Sequence, residues 1–199
     1  MKSTEREPLE VEGHPEPDRV FEARDLAMGG LLGALAIALP MVFHALGPGV
    51  GPIFLPMYLP LLALGLLSGW QVALTAGCIV PLLSAVLTGM PPLAPPIALL
   101  MLVELAALAT TASVARSHRL GILPATVLAL VAARVAGVLA LLTVGHALGY
   151  NKSVFEYAIL GLAVSWPGML LQLTIVPGAV AIIERTSLLR PRWELSTHD

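Results

Sequence analysis

The chain has 199 residues, of which 57% are hydrophobic and only 12% are charged, with a formal net charge of −2. This composition excludes an ordinary water-soluble domain, and at about twenty residues per crossing it leaves room for roughly five to seven membrane-spanning helices. The charge gives no sign of nucleic-acid binding, and the single cysteine, Cys78, excludes a disulfide within one chain.

The N-terminal residues 1–25 are polar and rich in glutamate, so they cannot bury enough apolar area to offset the entropy of ordering them. We predict a disordered acidic tail there. From Leu26 to Val103 the chain then contains no Asp, Glu, Lys or Arg. Because every element of a soluble domain has a face in water, an uncharged run of this length predicts membrane-spanning helices.

The first predicted span runs from about Leu26 to Leu46. It places small side chains every four residues along one face, at Gly30, Ala34 and Ala38, which we call the small-residue strip. In lipid, such a strip lets two helices approach closely. It either packs on another helix of this chain or forms a docking surface for a separate membrane subunit.

The connection over residues 45–52 is rich in glycine and proline and cannot continue the first helix. We expect it to line a cavity, because irregular backbone at membrane depth needs protein or water around it. The prolines and glycines that follow divide the stretch Phe54–Leu93 into two spans with short turns, rather than one long helix; they are Pro56, Pro60, Gly65, Gly69, Pro81 and Gly89. The remaining spans are predicted at about 57–67, 70–87, 96–114, 122–142 and 158–183, with a loop over 143–157.

The arginines near the span ends predict the orientation. With six spans, all of them fall on one side: Arg19, Arg24, Arg116, Arg119, Arg185, Arg190 and Arg192. Only Lys152 falls on the other side. By the positive-inside rule, both termini are cytoplasmic. The prediction is an all-α, polytopic bundle of six transmembrane helices over residues 26–184, followed by a short basic tail over 185–199.

Two ionisable residues lie inside predicted spans, Glu104 in the fourth and Arg134 in the fifth. A charge at the bilayer centre costs about 2.5 to 3.5 kcal/mol, so such residues usually face a partner or a polar cavity. The two spans are consecutive and antiparallel, and both residues lie at a similar distance from the shared turn. We expect them to be neighbours that form a structural pair, hold a polar ligand, or do both.

Weaker polar candidates gather toward the non-cytoplasmic half. Each alone is more often an interfacial anchor or an interhelical hydrogen bond, but together with the first loop they can build a pocket open to the outside. They are His44, Tyr150, Asn151, Lys152, Trp166 and Gln172. The other histidines have no partner at helical spacing and no nearby cysteine, so we predict no metal site and no cofactor.

Several sequence blocks, taken in order, carry a family resemblance. They read ALPMVFHALG, GPIFLPMYLPLLALGLLSG, VPLLSAVLTGMPPL, LLMLVELAALAT and PGMLLQLTIVP. Over Leu26 to Val180 the chain resembles the substrate-binding (S) components of energy-coupling factor (ECF) transporters. The resemblance implies a protein of the bacterial or archaeal cytoplasmic membrane that captures a vitamin or related micronutrient from outside. It would deliver the ligand with a transmembrane coupling protein and two cytoplasmic ATPases.

The resemblance also implies roles for single residues. The strip of Gly30, Ala34 and Ala38 would face the coupling subunit, and the polar positions of the later helices fall on Glu104, Arg134 and Gln172. Tyr58 stands where related sequences often have histidine, so a hydroxyl replaces any imidazole contact with the ligand. The low aromatic content disfavours a flat heteroaromatic ligand, and the metal-carrying branch is disfavoured because its histidine-bearing N-terminus is absent.

Three function classes remain open from the sequence. A transport subunit would have no ATPase of its own, since no GxxxxGK[ST] motif occurs in the chain. An intramembrane enzyme is disfavoured because Glu104 is the lone carboxylate within the predicted spans. A purely structural membrane protein predicts that no cavity exists and that Glu104 and Arg134 satisfy only each other.

Overall fold

The computed structural model describes residues 23–47, 49–93, 97–149, 153 and 155–186, and this part of the chain consists of helices joined by turns and short irregular connections, with no strand. The helices are α1 (Ala23–Ala45), α2 (Val50–Phe54), α3 (Tyr58–Leu67), α4 (Trp70–Thr88), α5 (Ile97–Ser117), α6 (Ile122–Ala140) and α7 (Gly161–Arg185), with π-helical turns at Leu141–Gly145 and Glu156–Leu160. Within the described residues, 6 helical stretches are long and apolar enough to cross a membrane, which confirms the predicted number of apolar helices. The two predicted tails lie almost wholly outside the described residues.

The second of these stretches, Val50–Leu67, is broken in the middle. Leu55 adopts a left-handed backbone conformation, with φ of 47°, between α2 and α3. Pro56 follows, and a residue before proline is disfavoured in the α conformation. Pro56 and Met57 are buried, so protein covers the irregular backbone. The break makes Tyr58 the first residue of α3, inside the bundle.

Helix α5 lies at the centre and packs against α3, α4 and α6. Glycines on its neighbours allow this close approach. A Cβ at Gly65 would lie 2.9 Å from the Ala109 Cα, and one at Gly77 would lie 2.8 Å from the Ala106 nitrogen. Because backbone atoms cannot move aside, only glycine fits at these two positions. The packing holds the middle of α5, and with it Glu104, in the core.

Not every proline and glycine of the stretch Phe54–Leu93 interrupts a helix. Pro60 lies in the first turn of α3, where its missing N–H leaves no helical bond unmade. Gly65 lies inside α3 and Pro81 inside α4, and both helices continue through them. In a tightly packed bundle, neighbouring helices compensate for such residues, so they do not end a span. Gly69 and Gly89 do flank α4, as expected.

The loop predicted over residues 143–157 is also largely wrong. After α6 the chain stays helical through Ala147, and it is helical again from Phe155. Gly145 packs so closely that a Cβ there would lie 3.0 Å from the Leu141 Cδ1. Ser153 and Glu156 form a capping box, with the Glu156 N–H donating to Ser153 Oγ at 3.1 Å and the Ser153 N–H donating to Glu156 Oε2 at 3.2 Å. Tyr157 therefore lies on a helix rather than in a loop.

Candidate functional site

Glu104 is buried at the centre of the bundle, with 3% of its surface exposed. Each of its carboxylate oxygens accepts a hydrogen bond from a tyrosine. The Tyr58 hydroxyl donates to Oε2, and the Tyr157 hydroxyl donates to Oε1 at 2.5 Å. These charge-assisted bonds stabilise an ionised carboxylate away from water. The first tyrosine comes from the start of α3 and the second from the π-helical turn before α7.

Arg134, on α6, lies beside this carboxylate, as its depth in the sequence predicts. Its Nη1 atom is 3.9 Å from Glu104 Oε2, which is an ion pair without a hydrogen bond. Its Nη2 atom donates to Ser165 Oγ on α7 at 3.1 Å. The guanidinium carbon lies 5.8 Å from the centre of the Tyr58 ring, within the range of a cation–π contact. We call Tyr58, Glu104, Arg134, Tyr157 and Ser165 the polar cluster.

Gly137, one turn after Arg134 on α6, makes room for the Glu104 side chain. A Cβ at this position would lie 2.6 Å from Glu104 Cδ and 2.7 Å from Cγ. The carboxylate therefore rests directly against the backbone of α6. Any side chain at residue 137 would push Glu104 away from its tyrosine donors.

Gln172 is fully buried on the inward face of α7. Neither its amide oxygen nor its amide nitrogen has a hydrogen-bond partner among the described residues. Ser165 lies on the same inward face, about 10 Å away along the helix axis at 1.5 Å per residue. An unsatisfied buried polar group costs about 1–3 kcal/mol, so the Gln172 amide lowers the stability of the folded protein.

The other sequence-predicted ligand candidates do not join the cluster. Trp166 is 59% exposed and lies on the outer face of α7. His44 is half-buried in the last turn of α1, and no hydrogen bond or ion pair described for the chain links it to Glu104 or Arg134. Tyr150 and Asn151, like Lys152, lie outside the described residues.

The small-residue strip lies on the outer surface of the bundle. Gly30, Ala34 and Ala38 are all exposed, and a Cβ at Gly30 would have nothing within 4 Å. Helix α1 packs against α3 and α4 through its opposite face, which includes Gly33 and Ala36. The strip is therefore exposed rather than packed in the core of the bundle.

Sequence reasoning missed Tyr157, Ser165 and Gly137. Tyr157 fell in the segment predicted as a loop, and Gly137 gave no signal that separates it from other glycines of apolar helices. A signal for Ser165 was present, because it precedes Gln172 by two helical turns and so shares its face.

Arg134 is the partly exposed charged residue of the cluster. Its side chain is 24% exposed, and it borders a shallow, open groove of about 260 Å³ on the outer face of α6 together with Val135, Val138 and Leu139. A larger groove of about 360 Å³ lies toward the far end of α5, next to His118. Within the described residues, no group of three or more His, Cys, Asp or Glu is placed to hold a metal ion.

Similarity to known proteins adds nothing to this geometry. The chain matches no protein-family model, no curated protein and no solved structure. Its function must therefore be argued from its own residues.

Proposed function

We propose that the chain is the substrate-binding subunit of an ECF-type importer in the cytoplasmic membrane of a bacterium or archaeon. It captures a small micronutrient from outside and delivers it with a transmembrane coupling protein and two cytoplasmic ATPases. Both termini are cytoplasmic, in keeping with the distribution of arginines along the chain. The subunit hydrolyses no ATP itself.

One observation carries the proposal: Glu104 and Arg134 do not simply satisfy each other. Glu104 takes its hydrogen bonds from Tyr58 and Tyr157, whereas Arg134 bonds Ser165 and stays 3.9 Å from the carboxylate. A protein that only needed to neutralise two intramembrane charges would form a direct pair. The polar cluster combines side chains from several helices, and its cation, Arg134, is partly exposed. This arrangement is better suited to holding a ligand.

The buried amide of Gln172 supports the same reading. A side chain with an unused donor and an unused acceptor lowers stability, and residues that reduce stability are often kept for binding. The Gln172 side chain is enclosed by the bundle, so a ligand that reaches it would be shielded from water. Such burial gives a polar contact its selectivity, because a ligand without the matching groups leaves the amide unpaired.

The small-residue strip supports the second half of the proposal, delivery to a partner. In lipid, small side chains on an exposed face permit close helix contacts, and they are a main source of association between helices. Because all three residues of the strip are exposed, the strip is open to a helix of the coupling protein.

The test is to add bulk to the strip and follow the partners. In Ala34→Leu and Ala38→Leu, we expect the tagged chain to fold normally but to lose the coupling protein and ATPases that co-purify with the wild type. The matched control is Ala179→Leu, the same change at an exposed position of α7. Partner ATPases are identified by mass spectrometry and by ATP hydrolysis in the eluate.

Two outcomes would contradict the proposal. If the wild type from its native host brings down no ATPase, the chain is not a subunit of such an importer. If both strip variants retain their partners at the wild-type level, the strip is not the docking surface.

A further inference from the structure

The chain contains a second Glu–Arg pair, which shows the geometry of a structural pair in this protein. At the end of α5, Arg116 Nη2 lies 2.7 Å from Glu184 Oε1 on α7, and Arg116 Nη1 donates to the Leu120 carbonyl at 2.8 Å. The guanidinium there is engaged by a direct charge-assisted bond and a backbone carbonyl. It holds the ends of two helices together.

Arg134 has a different geometry. Its distance to Glu104 is 3.9 Å, beyond hydrogen-bonding range, and its single described hydrogen bond is to the Ser165 hydroxyl. A guanidinium has five N–H donors in a planar fork. Within the described residues, most of this fork is therefore unused, although the side chain lies in an apolar bundle where every unmade hydrogen bond is costly.

Glu104 does not need Arg134 for its own hydrogen bonding, because both of its oxygens are served by tyrosines. The shallow groove beside Arg134 is lined, besides Arg134 itself, by Val135, Val138 and Leu139 of the same helix, and Glu104 is not among its lining residues. Arg134 is therefore the charged side chain of the cluster that borders this open surface.

From this geometry we propose that Arg134 receives the carboxylate of the transported ligand, and that the ligand is a small organic acid with a largely apolar body. The planar fork of arginine matches a carboxylate in a bidentate arrangement. The open surface beside Arg134 is aliphatic, since Val135, Val138 and Leu139 form it, and it suits an apolar body rather than a highly hydroxylated one. The inference rests on the proposed transport function and specifies its substrate class.

The depth of Arg134 favours a small acid over a lipid headgroup. It lies near the middle of the stretch Ile122–Gly145, about 18 Å along the axis from Ile122. A hydrocarbon core is about 30 Å thick, so a phospholipid phosphate at the interface would not reach this level. A small acid that enters the bundle from the outer side would reach the level of Arg134.

The experiment identifies what the protein retains. Full-length wild type and variants are produced in cells grown on yeast extract, purified in mild detergent and denatured, and the released compounds are identified by mass spectrometry. Methyl esterification then counts their carboxyl groups. We expect one stoichiometric compound with at least one carboxyl group.

The variants assign that carboxylate to Arg134. Arg134→Gln should lower occupancy at least about tenfold, because a charge-assisted bond is lost. Arg134→Lys should keep part of the binding through its charge, and Arg185→Gln, at an exposed arginine of α7, should bind like the wild type. Thermal unfolding monitors the fold of each variant. If Arg134→Gln does not fold, the inference is tested by two other results. The compound retained by the wild type must carry a carboxyl group, and Arg134→Lys must retain part of the wild-type occupancy.

Three results would overturn the inference, and they are distinguishable. A retained compound without an acidic group leaves the transport role standing but rules out acid recognition by Arg134. Fatty acids present in equal amount in wild type and Arg134→Gln mark the groove as a lipid contact only. A wild-type protein that retains nothing counts against both the transport role and the ligand class.

Discussion

Glu104 depends on the absence of a side chain at residue 137. In Gly137→Ala, the added methyl group would overlap the Glu104 carboxylate, so we expect unfolding free energy to fall by about 1–3 kcal/mol. Gly178→Ala is the matched control, because a Cβ there meets nothing within 4 Å and alanine favours a helix. Thermal unfolding in detergent compares the two variants.

The cause of this loss is testable with a second change. Glu104→Asp shortens the carboxylate and should remove the overlap, so the double variant should lose less stability than the two single variants added together. Strict additivity, or equal stability of Gly137→Ala and Gly178→Ala, would show that the glycine is not there for the carboxylate.

Gln172 presents a trade between stability and binding. Replacing it with methionine keeps the volume and removes an unsatisfied amide, so ligand-free protein should gain about 1–3 kcal/mol of stability. The same variant should retain less of the wild-type compound. Gln71→Met, at a partly exposed position near the start of α4, should change neither property. A loss of stability in Gln172→Met would mean that the folded protein does satisfy this amide.

At the scale of single residues, the sequence predicts charges well and their partners poorly. Glu104 and Arg134 stand out because an ionised group in a span is costly, and their distances from a shared turn predict that they are neighbours. Their hydrogen-bond partners cannot be read in the same way. A tyrosine or serine in an apolar helix carries little penalty, so Tyr157 and Ser165 do not differ visibly from interfacial or packing residues.

At the scale of helices, apolar length is the reliable signal and local breakers are not. The uncharged runs give five of the six apolar stretches to within a few residues, because a hydrophobic length is set by the bilayer and not by neighbours. The second stretch begins at Val50, seven residues before its predicted start, because α2 forms within the glycine- and proline-rich connection. Whether Pro81 ends a helix or lies inside it depends on packing that the sequence does not contain. The helical turns after α6 have the same origin, since Leu141 packs in a cluster with Leu100 of α5.

Two kinds of small-residue contact are also separated only by the structure. Gly65 and Gly77 meet the backbone of α5, whereas a Cβ at Gly30 would have none of the described residues within 4 Å. In the sequence, all three are glycines in apolar helices. The inner ones assemble the bundle around Glu104, and the outer one belongs to the surface that we assign to a partner.

At the scale of the whole molecule, the ion pair between Arg116 and Glu184 places the C-terminal ends of α5 and α7 together. If each apolar stretch spans the membrane, the chain crosses it twice between these two helix ends, once in α6 and once in α7. Both ends then lie on the same side, which agrees with the orientation predicted from the arginines. The turn at residues 117–122 and the turn after Ala147 must then face opposite sides.

This topology predicts the side from which introduced cysteines react. In a Cys78→Ala background, Ala147→Cys should react with a membrane-impermeant maleimide in intact cells, and Ser117→Cys should react only after permeabilisation. Both positions are exposed at the ends of apolar helices, so a difference between them reports the side and not burial. Because arginines near span ends are retained in the cytoplasm, the turn that contains Arg119 should be the protected one. Labelling of both cysteines in intact cells would contradict the six-span arrangement, and reversed labelling would place the opening of the polar cluster toward the cytoplasm.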